Sequence, residues 1–119
     1  MQRIMLKSKL HRARVTDTKA DYEGSIEIDE DLMEEAGIVD YEQVHIYNIN
    51  SGERFITYAI TGERGSGIVS INGAAARLAQ INDRIIIAAY GIINIEQENF
   101  SPRAFLLDID NKIIDKIPA

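Results

Sequence analysis

The sequence predicts a mainly β fold: a small closed barrel with short helices. Three observations lead there. Many short β-rich runs follow one another at close spacing, the only helical patterns are two stubby ones, and the 119 residues suffice for one domain with one core. Met5–Thr16 is extended, with Met5, Ala13 and Val15 on one parity and Leu6 and Leu10 on the other. Ile26–Ile28 is a very short strand. Asp29 is an N-cap, with Glu30 and Asp31 in the first turn, Leu32, Met33 and Ala36 on the apolar face, and Gly37 as the stop. Val44–Ile49 and Arg54–Ile60 flank Asn50-Ser51-Gly52-Glu53, a hairpin signal. On its second strand Phe55, Thr57 and Ala59 share one face, and Arg54, Ile56, Tyr58 and Ile60 the other. Phe55 and Ile56 are expected in the core. Gly62, Gly65 and Gly67 mark a flexible loop before the strand Ile68–Ile71. Asn72-Gly73 is a turn or cap, and Ala74–Gln80 a short helix. Ile85–Ala89 is a continuously apolar strand. Further strands are expected around Ile92–Ile95, Ala104–Ile109 and Lys112–Ile114, with a turn at Asp110-Asn111.

Composition narrows the function classes. The net charge is −6 and the pI near 4.8, which argues against nucleic-acid binding by phosphate neutralisation. No apolar run approaches the roughly 20 residues of a membrane helix, and the N-terminus lacks a signal-peptide core, so a cytoplasmic location is expected. There is no cysteine, hence no disulfide and no thiolate metal site, and no metal is expected. Charge is uneven: residues 1–20 are basic, whereas 21–42 hold many acids and no Lys or Arg. Two solvated faces, or a basic edge meeting an acidic edge or an anionic substrate, both fit that pattern.

Five segments carry chemistry together: 5–16 (MLKSKLHRARVT), 22–25 (YEGS), 52–59 (GERFITYA), 63–66 (ERGS) and 72–76 (NGAAA). In this order and spacing the chain resembles the pyruvoyl-dependent aspartate 1-decarboxylase family over nearly its whole length. Gly-Ser alone would mean little, since Gly65-Ser66 repeats it.

The resemblance implies a double-psi β-barrel in a single domain, 1–119. It also implies self-cleavage between Gly24 and Ser25, giving a β chain 1–24 and an α chain 25–119. Glycine before serine leaves an unhindered carbonyl and a backbone able to adopt strained angles. The Ser25 hydroxyl can attack the Gly24 carbonyl; elimination and hydrolysis then leave a pyruvoyl group. That ketone would form a Schiff base with L-aspartate and act as electron sink, a task pyridoxal phosphate performs elsewhere. The products would be CO2 and β-alanine, in pantothenate and coenzyme A synthesis. The family pattern gives Thr57 the oxyanion role in processing and Tyr58 the proton-donor role. Arg54 would grip a substrate carboxylate, with Lys9 adding positive charge. Asn72 and the Gly73, Ala74 and Ala75 backbone would line the pocket, supported by His11, Tyr22, Gly24 and Tyr47. Tyr47 stands where the family usually has tryptophan. Thr57 and Tyr58 face opposite ways on a regular strand, so both reach one pocket only at a bend, a rim or a subunit interface. The family is homotetrameric with sites between subunits, and some members use a maturation helper protein. A related substrate such as glutamate, or a non-catalytic oligomeric barrel, are the competing readings.

Overall fold

The first strand determines how the sheet closes. The computed structural model describes residues 1–117, so the last two positions of the expected chain 25–119 lie outside the described residues. In chain order come β1 (Arg3–Arg14), β2 (Asp17–Lys19), β3 (Ser25–Asp29), α1 (Glu30–Ala36), β4 (Gln43–Asn48), β5 (Arg54–Gly62), β6 (Val69–Asn72), a 3-10 turn (Gly73–Leu78), β7 (Arg84–Ile93), β8 (Arg103–Leu107) and β9 (Ile113–Lys116). β1 runs antiparallel to β7, from Arg3 opposite Ile93 to Arg14 opposite Arg84. The chain then continues: Thr16 N–H donates to Val69 O at 2.8 Å, and β2 pairs parallel with β6. The intervening order is β6-β3-β5-β4-β7. One continuous segment, β1–β2, is therefore paired at both ends of the same sheet and closes it. The result is the expected mainly β class, a small closed barrel with short helices, with β8 parallel to β1 and β9 beyond it.

Closure requires β1 to turn. Its register slips between Leu6 and Ser8 and between His11 and Ala13, and Arg12 takes φ 66°. Each bulge inserts a residue and resets the two-residue alternation. That reconciles the two parities: Leu10, Ala13 and Val15 are all at 0% exposure, facing one core with Ile26, Ile46 and Ile87. Each fully buried Leu, Val or Ile side chain here stabilises the fold by about 1.5–3 kcal/mol.

Asp29 ties the acidic helix to the glycine loop. Its Oδ1 accepts from Asp31 N–H (2.9 Å) and Gly65 N–H (3.0 Å), and its Oδ2 from Gly67 N–H (2.8 Å). Gly37 caps the helix at φ 68°, as expected. The 62–67 loop is thus fastened by a buried carboxylate rather than left loose. Burial alone would raise the Asp29 pKa; the Gly67, Asp31 and Gly65 N–H bonds, aided by Lys112, outweigh it and hold the carboxyl below its ordinary 3.8. Within the acidic stretch, Glu30, Asp31 and Glu34 pair with Arg64, and Glu42 with Lys7.

Four expectations are corrected. Ile56 is 57% exposed, because it shares the parity of Arg54 and Tyr58; Phe55 packs against the core. Of the strand expected at Ile92–Ile95, Ile92 and Ile93 end β7, and Asn94 and Ile95 lie past it. The Ala74–Gln80 helix is a 3-10 segment starting at Gly73. β8 stops at Leu107 because the Asp108 carboxylate captures Asp110 N–H and Lys112 N–H in a turn. Among the described residues no helix is long and apolar enough to cross a membrane.

Asp29→Asn presents an amide N–H where an N–H donor already points. We expect a loss of about 1–3 kcal/mol in urea unfolding at pH 7. The lowered carboxylate stabilises fully above its ordinary 3.8 and progressively less as pH falls through the lower folded value, so the variant's acid limb should be flatter than wild type's.

Candidate active site

Ser25 opens β3 at the point where that strand pairs antiparallel with β6, directly opposite Asn72. Both are buried, at 4% and 3% exposure, although Gly24 just before is exposed. Asn72 Nδ2–H donates to Ser25 Oγ at 3.0 Å, and Ser70 Oγ–H donates to Asn72 Oδ1 at 2.9 Å. Ser70 and Asn72 are two apart on one strand and so share a face. Ser70 therefore fixes which way the Asn72 amide points, and the amide N–H is aimed at the serine oxygen. A donor in that place favours negative charge on Oγ.

The backbone constraint beside Ser25 lies at Gly73 and not at Gly24. Gly73 has φ 80°, and a Cβ built there would stand 2.6 Å from Gly24 Cα, 2.7 Å from Gly24 N and 3.1 Å from Tyr22 O. Gly24 is outside the left-handed region, and a Cβ there would meet nothing within 4 Å. Ala74 is exposed and Ala75 half-buried at the start of the 3-10 segment; Tyr22 is exposed, with Lys19 Nζ 5.1 Å from its ring centre.

The other candidates occupy the outer face of β5, β4, β7 and β1. Register aligns Arg54, Tyr47, Ile86 and His11 in one row, and Ile56, His45, Ala88 and Lys9 in the next. Tyr58, opposite Gln43, has the same parity as Arg54. Residues paired across strands point the same way, so Lys9, His11, Tyr47, Arg54 and Tyr58 share this face. Arg54 Cζ sits 4.3 Å over the Tyr47 ring, and Tyr41 packs 6.1 Å from Tyr58. His11 Nδ1 is buried without a hydrogen-bond partner. Desolvation, then Lys9, Arg12 and Arg84, lower the His11 pKa, keeping the ring neutral at pH 7.

The structure joins Ser25 to some of these residues and not to others. β3 lies parallel to β5 with Ile26 opposite Ala59; Ser25 and Tyr58 each precede that rung by one residue. Thr57 pairs with buried Val44 and takes the inward parity, opposite to Tyr58. Lys9 and His11 are four strand positions from β3 in the sheet order, about 19 Å along the sheet. Among the described residues no hydrogen bond links Ser25 to Thr57, Lys9, His11 or Arg54. No group of three or more His, Asp or Glu converges as a metal site among the described residues. Two participants escape the sequence: Ser70, legible only as the i−2 neighbour of Asn72, and Tyr90, whose hydroxyl lies 2.7 Å from that of Tyr47.

An aspartate decarboxylase family model matches residues 1–114. Among curated proteins, the aspartate 1-decarboxylase of Halorhodospira halophila is 56% identical over 117 residues, covering 98% of this chain and 93% of that one. Those of Tolumonas auensis and Burkholderia pseudomallei are 57% and 59% identical, covering 96% and 95% of this chain and 91% and 90% of theirs. Among solved structures, the rationally designed mkDPBB_sym_86 protein aligns at 11% identity and TM-score 0.49, over 66% of this chain and 91% of that one.

Gly73→Ala combines an unfavourable φ with a backbone collision against Gly24. We expect it to cost at least ~2 kcal/mol, read as a lowered thermal midpoint. Ala74→Gly, one residue on, should cost under ~1 kcal/mol in the same measurement.

Proposed function

The chain belongs to the aspartate decarboxylase family, and from that premise we propose that it converts L-aspartate to β-alanine and CO2. The observation that carries the proposal is the buried Ser25 hydroxyl, held by Asn72 beside the Gly24–Gly73 contact. In this reading Ser25 is the source of a pyruvoyl group. Its Oγ attacks the Gly24 carbonyl carbon, and collapse breaks the Gly24–Ser25 amide to leave an ester. Loss of the Ser25 α-proton expels the Gly24 carboxylate, and water then releases ammonia and leaves a ketone at position 25. Residues 1–24 and 25–119 become separate chains of 24 and 95 residues, the latter from 119 − 24.

The surroundings fit such a group. Residue 25 stays seated between β5 and β6 after the cut, because its ladder partners lie on the C-terminal side. The exposed Gly24 end can leave. The ketone supplies the electron sink that decarboxylation needs.

This chain's own residues do the rest. Thr57, with no side-chain hydrogen bond among the described residues, is the oxyanion donor during processing; one well-placed donor is worth about 3 kcal/mol. Arg54 holds a substrate carboxylate through its planar fork, and Lys9 adds charge. Asn72 and the Gly73–Ala75 backbone line the pocket, while His11 and Tyr22 fix its geometry. Tyr58, level with Ser25 across the β3–β5 pair, delivers the proton that replaces the lost carboxyl. Lys9 and His11 lie four strand positions from β3, on the outer face, with no hydrogen bond to Ser25 among the described residues, so in this reading they act on the Ser25 of a neighbouring subunit. A homotetramer with sites between subunits meets that requirement. We place the reaction in the cytoplasm, where β-alanine feeds pantothenate synthesis.

The test is CO2 release from L-aspartate, with L-glutamate alongside. Wild type should turn over aspartate, and Ser25→Ala should stay one chain with no turnover. Normal turnover by Ser25→Ala would refute the assignment. Tyr58→Phe should still separate into two chains while kcat falls about 100-fold or more; full activity would move the proton donor elsewhere.

A further inference from the structure

Tyr90 belongs to none of the motifs that carry the family resemblance, yet it completes a cluster around Arg54. It lies half-buried on β7, with its hydroxyl 2.7 Å from the Tyr47 hydroxyl. Its ring meets His45 edge-on at 4.8 Å, and His45 meets Tyr47 at 6.3 Å. Three rings on adjacent β4 and β7 therefore brace one another. Above them sits the Arg54 guanidinium, 4.3 Å from the centre of the Tyr47 ring.

Arg54 has no other hold. Its side chain is exposed and makes no ion pair or side-chain hydrogen bond among the described residues. An exposed arginine samples many rotamers, and each one frozen on binding weakens the complex. A cation over an aromatic face is restrained only as well as the ring beneath it. A tyrosine ring on an outer sheet face can swing about its own bonds unless its tip is tied, and here the tip is tied to Tyr90. Hydrogen bonding to Tyr47, burial and the Tyr47 charge, only partly opposed by Arg54, push the Tyr90 phenol up to about 12. The tie is therefore intact throughout the physiological range.

We propose that Tyr90 is a positioning residue: through Tyr47 it holds the Arg54 guanidinium in one orientation and so sets which carboxylate reach the substrate site accepts. This rests on the reading of Arg54 as the substrate-carboxylate anchor. A fixed anchor fits one distance between amine and distal carboxylate, whereas a swinging anchor also accommodates the extra methylene of glutamate. The effect belongs to binding, because neither phenol touches the reacting atoms. Loss of the tie raises KM and leaves kcat in place.

The experiment uses Tyr90→Phe, which removes only the hydroxyl, in the full processed protein. Side-chain 15N relaxation at Arg54 Nε, without substrate, should show an ordered guanidinium in wild type and a mobile one in the variant. KM for aspartate should rise about fivefold, kcat should hold, and the preference for aspartate over glutamate should shrink. Tyr47→Phe should reproduce these changes, and the double variant should add nothing, as for two halves of one interaction. An equally ordered Arg54 in Tyr90→Phe, or an unchanged KM in an active enzyme, overturns the proposal. A wild-type protein that ignores aspartate instead overturns the function proposed above, and the relaxation result still decides the role of Tyr90.

Discussion

The antiparallel pairing of Ser25 with Asn72 is the constraint on which the site depends. It places a serine hydroxyl out of water, at the first residue of a strand, with one donor aimed at its oxygen. A buried hydroxyl without a partner would cost about 1–3 kcal/mol, so the Asn72 amide stabilises the fold and, in the proposed function, also presets the chemistry. Ser70 extends the constraint one step by fixing the amide's orientation. Gly73 extends it in the other direction, since any larger residue would push Gly24 off its seat. A hydroxyl and the carbonyl it would attack are thereby held by neighbours on a single strand and the turn that follows it.

A second constraint comes from how the sheet closes. The two bulges in β1 let one segment serve both edges of the barrel. The same geometry sends Lys9 and His11 to the outer face of β1, four strand positions from Ser25. Of that outer face, Tyr58 stands level with the buried serine, whereas Lys9 and His11 are carried away from it. In the proposed function symmetric association makes them meet: each subunit would lend its face and use its neighbour's serine. Among the described residues neither Lys9 nor Arg54 on this face has an ion-pair partner, which in the proposed function suits an anionic substrate.

Much of this was legible in the residues. Asp29 and Gly37 announce the helix ends because capping is local chemistry, and the structure has both. The Asn50–Glu53 turn announces its hairpin for the same reason. What local patterns could not convey was non-local. The bulge at Arg12 changes the parity of β1, and nothing in a two-residue alternation foretells a positive φ at arginine. Ile56 reads as core because it is isoleucine, whereas its row partners His45, Ala88 and Lys9 put it outside. Gly62–Gly67 reads as loose because its fastener, Asp29, is more than thirty residues away. The candidate site residues came as a set from the family resemblance. Their division between two regions of the subunit, and the participation of Ser70 and Tyr90, needed the register.

The central claim is that Ser25 is consumed to make the group that does the chemistry. Intact-mass measurement of the purified, denatured protein, before and after treatment with a ketone-selective hydrazine, tests it most directly. The account predicts two chains, residues 1–24 and 25–119, with the larger one lacking an N-terminal amine and gaining one hydrazone. A protein that turns over aspartate as a single unreactive 119-residue chain would contradict it.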